Sequence, residues 1–146
     1  GYMDVVGLSK NGIENVVANL NLDMIGRNTP DSVYVIGSDR HSQELHNINE
    51  KTFEFVPEIF PNYRYNAHND PNNYYTRSDH YNFAKHGIPV IFYFAGVHED
   101  YHKPTDTLDK INLIKVKKIA EIAFITGWNL ANRTERLNIL PQNDKE

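Results

Sequence analysis

The chain has 146 residues, with 15 basic and 19 acidic side chains, no cysteine and a formal net charge of −4. This length suits one domain, and the lack of a basic block argues against a nucleic-acid partner. Without cysteine, disulfides and thiolate metal sites are excluded, so a metal would have to be held by His, Asp or Glu. No apolar stretch is long enough to predict a membrane span.

The first strand is predicted from the alternation of apolar and polar residues over positions 18–24, A-N-L-N-L-D-M. A period of two is typical of a strand, and Gly26 marks its end. This places Asp23 at the carboxyl end of the strand. A buried aspartate is costly unless a charged group meets it, and Asp23 is therefore a candidate ligand for a cation.

A second strand, a helix and a short third strand are predicted next. The run S-V-Y-V-I-G at 32–37 is a strand, and Ser38 is placed to cap a helix that ends near Thr52. Residues 53–60 are expected to form a short strand broken by a proline. Residues 61–76 are rich in Asn, Tyr and Pro and predict a long loop, and ordered loops of this length often carry function.

The second half of the chain is predicted to contain a short helix, a buried strand and a long helix. Ser78 is expected to cap the short helix, which ends at Gly87. Residues 90–95 are nearly all apolar, which predicts a strand covered on both faces in the middle of a parallel sheet. Asn112 begins the last helix, which runs to about Asn132, and the tail beyond it is expected to be loosely held. The helix face predicted to lie against the sheet consists of Val116, Ile119, Ala120, Ala123, Gly127 and Leu130.

Strands that alternate with helices predict a three-layer α/β fold, in which helices flank a mostly parallel or mixed sheet. In such folds ligands bind outside the carboxyl ends of the strands. Asp23 ends one strand, and residues 96–107, G-V-H-E-D-Y-H-K-P-T-D-T, follow another. Both are therefore expected at the edge of the sheet where ligands bind.

His98, Glu99 and His102 form an H-E-x-x-H sequence, which in zinc metalloproteases lies on one helix and supplies two ligands and a general base. A helix is required because only helical spacing brings the two histidines to one metal. Here the motif closely follows a strand, and Pro104 turns the residue before it away from helical angles. We therefore expect the match to be fortuitous.

The competing interpretation keeps His102 as a ligand and combines it with Asp23. An imidazole and a carboxylate suit a zinc ion that retains an open position. Taken singly, Asp23 is equally consistent with a turn residue at a strand end, and His102 with a surface histidine.

Four segments occur in an order and at distances that resemble a known family. They are N-L-D-M-I-G-R (21–27), R-S-D-H-Y-N-F (77–83), G-I-P-V-I-F (87–92) and Y-H-K-P-T-D-T (101–107). From about Val16 to Arg133 the chain resembles the C-terminal half of family twenty-eight of the metallopeptidases, the bacterial leucyl-aminopeptidase-like dizinc exopeptidases.

The resemblance implies a catalytic site with two zinc ions. In the family, the Asp of the N-L-D-M segment binds one zinc and the His of the Y-H-x-x-x-D-T segment binds the other, and Asp23 and His102 match these positions. Tyr101 matches the tyrosine that stabilises the oxyanion of the tetrahedral intermediate, a role for which a phenol donor is chemically apt.

Other polar residues near these segments are expected to support the site or the fold. Asp79 is predicted to orient a ligand or the wall of the site. Asp106 and Asp109 are expected as a turn and a cap residue, and Arg77 and His80 have no predicted role. Four histidines are expected at the surface: His41, His46, His68 and His86.

The family's other metal positions (a His, a bridging Asp and a Glu) and its general-base Glu precede the N-L-D-M segment, where this chain has no histidine and no Glu-Glu pair. Residues 1–146 are therefore expected to form a single partial domain, the C-terminal half of a peptidase catalytic domain. The resemblance implies that the parent enzyme is a zinc-dependent aminopeptidase, which removes N-terminal residues from peptides with a metal-activated water. The chain alone is expected to bind zinc weakly or not at all, to lack activity and to self-associate through exposed sheet edges. Relatives are often exported, which favours a periplasmic or secreted location.

Two other functions are compatible with the same fold. A glutaminyl-cyclase-like acyltransferase would use a related site with one zinc, and a non-catalytic ectodomain would bind partners without chemistry. The joint presence of Asp23, Tyr101 and His102 favours an enzyme, because a site without chemistry has no physical need for all three.

Overall fold

The computed structural model describes residues 12–141, which form a four-stranded mixed sheet with helices on both faces. The helices and strands are, in chain order, β1 (Asn19–Leu22), β2 (Ser32–Ile36), α1 (Gln43–Phe53), β3 (Phe60–Asn62), α2 (Tyr81–Ala84), β4 (Val90–Phe94) and α3 (Leu113–Ala131). The predicted α/β fold with a mixed sheet flanked by helices is confirmed. Within residues 12–141, none of the helices combines the length and apolar character needed to span a membrane.

The strands lie in the order β1-β4-β2-β3. β4 pairs parallel with β1 and antiparallel with β2, while β2 pairs parallel with β3. All five residues of β4 are buried, as predicted for a strand between two others. β4 does not lie between two parallel neighbours, because β2 runs in the opposite direction and makes the sheet mixed. Consequently the start of β2 lies at the edge where β1 and β4 end.

Two apolar clusters bury the two faces of the sheet. The first lies between the sheet and helices α1 and α3, and includes Val33, Val35, Leu45, Ile91, Tyr93, Ile119 and Ile122. The second lies between the sheet and α2 with the loop before it, and includes Ile36, Tyr75, Ala84, Phe92 and Phe94. Both faces of β4 are covered, so the side chains on both faces are buried. This explains why the sequence of β4 is apolar without interruption.

α1 begins four residues later than its predicted cap would place it. Ser42, rather than Ser38, is the N-cap, and its hydroxyl accepts a hydrogen bond from the Leu45 amide at 3.4 Å. The Ser38 hydroxyl is buried and lies 2.9 Å from Nδ1 of His46. Ser38 and Ser42 both precede the apolar pattern of the helix, so the sequence alone does not tell which of them is the cap. The Ser38 hydroxyl is not available as a cap because it contacts His46.

The segment after α1 differs from the strand predicted over 53–60. Successive turns follow α1 as far as Ile59, and β3 covers only Phe60–Asn62. Two short 3-10 helices, Arg64–Asn66 and Tyr74–Thr76, lie in the long segment that was predicted as a loop. This segment is thus ordered, and its tyrosines cover the second face of the sheet.

α3 lies against the sheet as predicted, but its buried face includes polar residues. The buried residues are Lys115, Ile119, Ile122, Ala123 and Thr126, whereas Ala120 is exposed. Burial lowers the pKa of Lys115 to about 8, and its ammonium donates to the carbonyls of Arg27 at 2.8 Å and Thr29 at 2.6 Å. An apolar pattern could not identify Lys115 as buried, because partners distant in sequence compensate its burial.

The tail after α3 is attached to the fold as far as residue 141, contrary to expectation. Leu137 is buried in the first cluster, and the Leu140 amide donates to the His41 carbonyl at 2.9 Å. His41 is itself buried, with its Nε2 3.0 Å from the Tyr75 hydroxyl. The surface position predicted for His41 is therefore wrong.

We predict that Asn112→Ala lowers the free energy of unfolding by about 1 kcal/mol, and the melting temperature by about 2–4 °C. The Asn112 side chain caps α3 by accepting a hydrogen bond from the Lys115 amide at 3.0 Å. Asn129→Ala is the matched control, because Asn129 is exposed inside α3 and alanine has the higher helix propensity. Thermal unfolding should give a loss for the first variant and none for the second. Equal losses would contradict the capping role.

Candidate metal centre

The parallel pairing of β1 and β4 brings the two segments that carry the predicted metal ligands to one edge of the sheet. Beyond the last residues of these strands, the Asp23 amide donates to the Tyr93 carbonyl at 3.3 Å, and the Ala95 amide donates to the carbonyl of the residue after Asp23 at 3.2 Å. The two segments therefore leave the sheet side by side, one through Asp23 and the other into residues 96–107. Asp23 and His102 are both exposed.

Residues 98–102 form a turn and not a helix. The Tyr101 amide donates to the His98 carbonyl at 3.0 Å, and His102 has a left-handed backbone with φ of +57°. The side chain of His98 is only 5% exposed, whereas His102 is exposed. The H-E-x-x-H sequence therefore lacks the helix that would direct both histidines to one metal, as its context predicted.

Asp23 is held by a serine for which the sequence predicted a different role. The Ser78 hydroxyl donates to Oδ2 of Asp23 at 2.7 Å and accepts from Nδ2 of Asn21 at 2.9 Å. Ser78 does not cap α2, whose N-cap position is occupied by His80 without a side-chain cap. Asp79 is exposed, and within residues 12–141 its carboxylate forms no hydrogen bond. Ser78 is therefore the side chain that orients Asp23 among the described residues, and the supporting role of Asp79 stays a prediction.

His80 lies behind this contact and is fully buried. Its ring stacks on Phe92 with 4.6 Å between centroids, and its Nε2 lies 2.6 Å from the Tyr75 carbonyl oxygen. Burial lowers the pKa of His80 to about 4, so the imidazole is neutral at pH 7. Because a carbonyl only accepts, Nε2 carries the proton, and Nδ1 is an acceptor 3.5 Å from the Asn21 amide nitrogen. The Asn21 amide thus donates hydrogen bonds both to His80 and to Ser78, the serine that holds Asp23.

Tyr101 and His102 lie against each other, with 3.9 Å between their ring centroids. Within residues 12–141 the His102 imidazole forms no hydrogen bond, which leaves its nitrogens available to a ligand. Tyr101 is half-buried and lies near Tyr74. Burial raises the pKa of Tyr74, and the nearby phenols of Tyr65 and Tyr101 raise this pKa further.

A cleft of about 510 Å³ opens beside the loop that carries this pair. Its walls include Asn28, Ser32, Tyr34, Asn62, Tyr65 and Tyr74. The ring centroid of Tyr65 lies 4.4 Å from that of Tyr34 and 4.8 Å from that of Tyr74. The volume falls within the range of about 300–1,000 Å³ that is usual for small-ligand sites. The cleft therefore offers space for a small ligand beside the start of the loop that follows β4.

Asp23 and His102 are of the residue types that bind zinc, but two ligands are fewer than a zinc site needs. Oδ1 of Asp23 accepts no hydrogen bond from any described residue, and together with the His102 imidazole it offers the oxygen and nitrogen donors that zinc binds. Between residues 12 and 141, no group of three His, Asp or Glu side chains is placed to hold a metal ion. Catalytic zinc typically takes three protein ligands. A zinc bound here would therefore need ligands in addition to these two.

Comparison with protein families identifies the class of protein to which this α/β fold belongs, the peptidases. Residues 4–126 match the model of Peptidase family M28, and the chain therefore belongs to this family. The resemblance inferred from the four sequence motifs is confirmed. No curated protein matches the chain.

Solved structures of bacterial aminopeptidases have the same fold. The aminopeptidase from Aneurinibacillus sp. strain AM-1 is 25% identical, with a TM-score of 0.63 over 94% of this chain and 31% of its own. The LapA aminopeptidase of Legionella pneumophila is 23% identical, with a TM-score of 0.64 over 82% of this chain and 32% of its own. BSAP, a zinc aminopeptidase from Bacillus subtilis, is 20% identical, with a TM-score of 0.61 over 84% of this chain and 30% of its own. The chain thus spans about a third of the length of these proteins.

We predict that His80 makes the protein less stable as the pH falls from about 6.5 to about 4. The folded-state pKa of His80 is about 4, below the unfolded value near 6.5, so in this window the unfolded state binds more protons. His80 should account for at most about 3 kcal/mol of the lost free energy of unfolding. His80→Gln keeps a donor for the Tyr75 carbonyl without titrating, and should flatten the urea-unfolding stability profile in this window.

His86→Gln is the control for this measurement, because His86 is exposed. It should leave the pH profile as in the wild type. A His80→Gln profile with the wild-type slope would show that His80 is not buried in its neutral form.

Proposed function

We propose that this chain contributes one zinc ligand to each of two zinc ions in an aminopeptidase site, with Asp23 on one zinc and His102 on the other. The observation that carries the proposal is the common edge of β1 and β4, from which the segments that carry the two residues leave the sheet side by side. Membership of a peptidase family and the fold of bacterial aminopeptidases support the same conclusion. The substrate would be a peptide with a free amino terminus.

Each residue of the proposed site has a separate task. Zinc, when bound, supplies an activated water and polarises the scissile carbonyl. Ser78 holds Oδ2 of Asp23 by a hydrogen bond and leaves Oδ1, which would bind the metal, without a hydrogen bond from the described residues. His102 offers an imidazole free of other hydrogen bonds among the described residues. Tyr101, stacked on His102, would donate a hydrogen bond from its phenol to the oxygen that gains negative charge during attack on the peptide bond.

We predict that, in the full-length protein, Asp23→Ala and His102→Ala each remove most peptidase activity and lower the zinc content. Each substitution deletes a metal ligand, whereas His98→Ala and Glu99→Gln alter residues outside the proposed donor set and should have mild effects. Hydrolysis of an amino-acid anilide and zinc analysis by mass spectrometry measure both quantities. Loss of turnover in Glu99→Gln with zinc still bound would contradict the assignment and favour the H-E-x-x-H interpretation.

The number of zinc ions per chain separates the proposed activity from its alternatives. Two zinc ions with release of N-terminal residues support the aminopeptidase. One zinc with cyclisation of N-terminal glutamine would support a cyclase-like acyltransferase, and neither metal nor turnover would support a binding ectodomain.

We predict that Tyr101→Phe lowers kcat on the order of 10²–10³-fold, as the loss of an oxyanion donor does in other enzymes. Zinc content should be unchanged, because the phenol is not a ligand in this proposal. The Tyr74→Phe variant is a matched control, since the Tyr74 phenol faces the cleft next to Tyr101. A kcat that is unchanged in Tyr101→Phe would exclude Tyr101 from the mechanism.

We also predict that the 146-residue chain by itself binds zinc weakly and does not cleave peptides. The reason is that its described residues bring no three metal-binding side chains together. The β1 and β3 strands each have an unpaired edge among the described residues, so the isolated chain should also self-associate. Calorimetric zinc titration, an anilide assay with and without chelator and sedimentation measure these properties. Tight zinc binding with chelator-sensitive cleavage would contradict the proposal.

A further inference from the structure

The segment of residues 98–111 carries Tyr101 and His102 but has little attachment to the rest of the fold. Its backbone hydrogen bonds are internal, as in the bond from the Lys103 amide to the Asp100 carbonyl at 2.9 Å. Within residues 12–141, the hydrogen bonds that link this segment to other parts of the chain all come from the side chain of Arg27. Arg27 is therefore the side chain whose hydrogen bonds join this segment to the rest of the fold among the described residues.

Arg27 forms ion pairs with two carboxylates, one on each side of the Tyr101–His102 pair in the sequence. Its Nη2 donates to Oδ2 of Asp100 at 2.6 Å, and its Nη1 donates to Oδ1 of Asp106. The side chains of Arg27 and Asp100 are only 12% and 7% exposed, so this ion pair is shielded from solvent. The Arg27 guanidinium holds the pKa of Asp100 well below its usual range. Asp106, expected from the sequence as a turn residue, is thus the second anchor of the segment.

Arg27 is itself fixed in place through its backbone. The buried Lys115 ammonium donates to the Arg27 carbonyl, and the Asn112 amide donates to the Gly26 carbonyl at 2.8 Å. A β-carbon on Gly26 would lie 2.8 Å from the Ile111 side chain, so this close approach requires glycine. The guanidinium is therefore presented from a backbone that α3 and its cap hold in place.

The conformation of His102 shows why such an anchor is needed. Its φ of +57° lies in the left-handed region, which costs energy for a residue other than glycine. Residues held in this region persist only where the surrounding structure fixes them. The internal turns of the segment and the two bonds from Arg27, one before Tyr101 and one after His102, supply that restraint.

We infer that Arg27 is the positioning residue for the Tyr101–His102 pair: its guanidinium, by holding Asp100 and Asp106, sets where these two side chains stand relative to Asp23. The inference rests on the proposed function for its consequences in catalysis, but the positional effect itself does not require zinc. Arg27 follows Asp23 by four residues on the same loop. One short stretch of chain therefore carries a metal ligand and also locates the other ligand.

The positional effect is tested by hydrogen exchange on metal-free protein. Arg27→Gln should raise the rate of amide hydrogen exchange by at least about tenfold within residues 98–111. The reason is that the wild-type segment must break two ionic bonds to open, whereas the variant lacks these bonds and opens more easily. Peptides from β4 and the middle of α3 should exchange as in the wild type. Arg133→Gln is the matched control, since it removes an ion pair to Glu44 away from this segment and should leave residues 98–111 unchanged.

The consequence for the site is tested on full-length, zinc-loaded protein. Arg27→Gln should release the zinc assigned to His102 faster than the zinc assigned to Asp23, giving about one zinc per chain after brief chelation. At saturating zinc, kcat should fall about 10–100-fold, the usual cost of removing a residue that orients a metal ligand. KM should change little. Arg27→Lys should recover part of kcat, because a lysine can still form an ion pair with one of the two carboxylates. A role in stability alone would lower the melting temperature without this split between the two zinc ions.

Each outcome decides the inference. If Arg27→Gln does not fold, Asp106→Asn makes the same test, because Asp106 has a side-chain exposure of 35% and its loss removes one of the two anchors. Wild-type exchange in residues 98–111 of the folded variant would overturn the inference, whatever the activity. Increased exchange in these residues, in a protein whose wild type has neither zinc nor peptidase activity, would support the anchor and overturn the proposed function instead.

Discussion

The parallel pairing of β1 with β4 is the constraint on which the proposed site depends. Its register places Leu22 opposite Tyr93, so that the two strands end at the same level and release their loops at one edge. A slip of one residue would turn Asp23 to the other face of the sheet, away from Ser78. The two covered faces of β4 make such a slip costly, because each face packs against its own apolar cluster. The geometry of the site is therefore determined by the core.

The two halves of the edge are stabilised by different kinds of interaction. Asp23 is supported by neutral groups, Ser78 and Asn21, with the buried His80 behind them, whose burial keeps it uncharged. The loop with His102 is supported by the charged side chain of Arg27, which pairs with two carboxylates. Charge pairing explains the difference, since an unpaired charge beside the apolar cluster would be costly, whereas the charge of Arg27 is compensated by the two carboxylates.

Much of the fold could be predicted from local patterns. The unbroken apolar run of β4 and the asparagine that caps α3 each follow from rules that act over a few residues. The shared edge followed from the general rule for α/β sheets, and Pro104 indicated that H-E-x-x-H would not be helical. The direction of β2 was missed, because alternation along a strand does not depend on the direction in which it runs.

The details of the site that were missed are contacts between distant parts of the chain. Ser78 is a plausible helix cap by its neighbours, and its bond to Asp23 spans 55 residues of sequence. Arg27 and Asp106 stand in two of the recognised motifs, yet nothing local shows that one binds the other. A usable signal existed for Asn21, since the alternation of β1 places it on the same side as Asp23. Lys115 gave the opposite signal, because a lysine predicts exposure unless its partners are known.

The most direct test of the account is anomalous diffraction at the zinc edge from crystals of the zinc-loaded, full-length protein. The account predicts two zinc peaks at the carboxyl edge of the sheet, one bonded to the Asp23 carboxylate and the other to the His102 imidazole. A single zinc bonded to both His98 and His102, or zinc remote from Asp23 and His102, would contradict it.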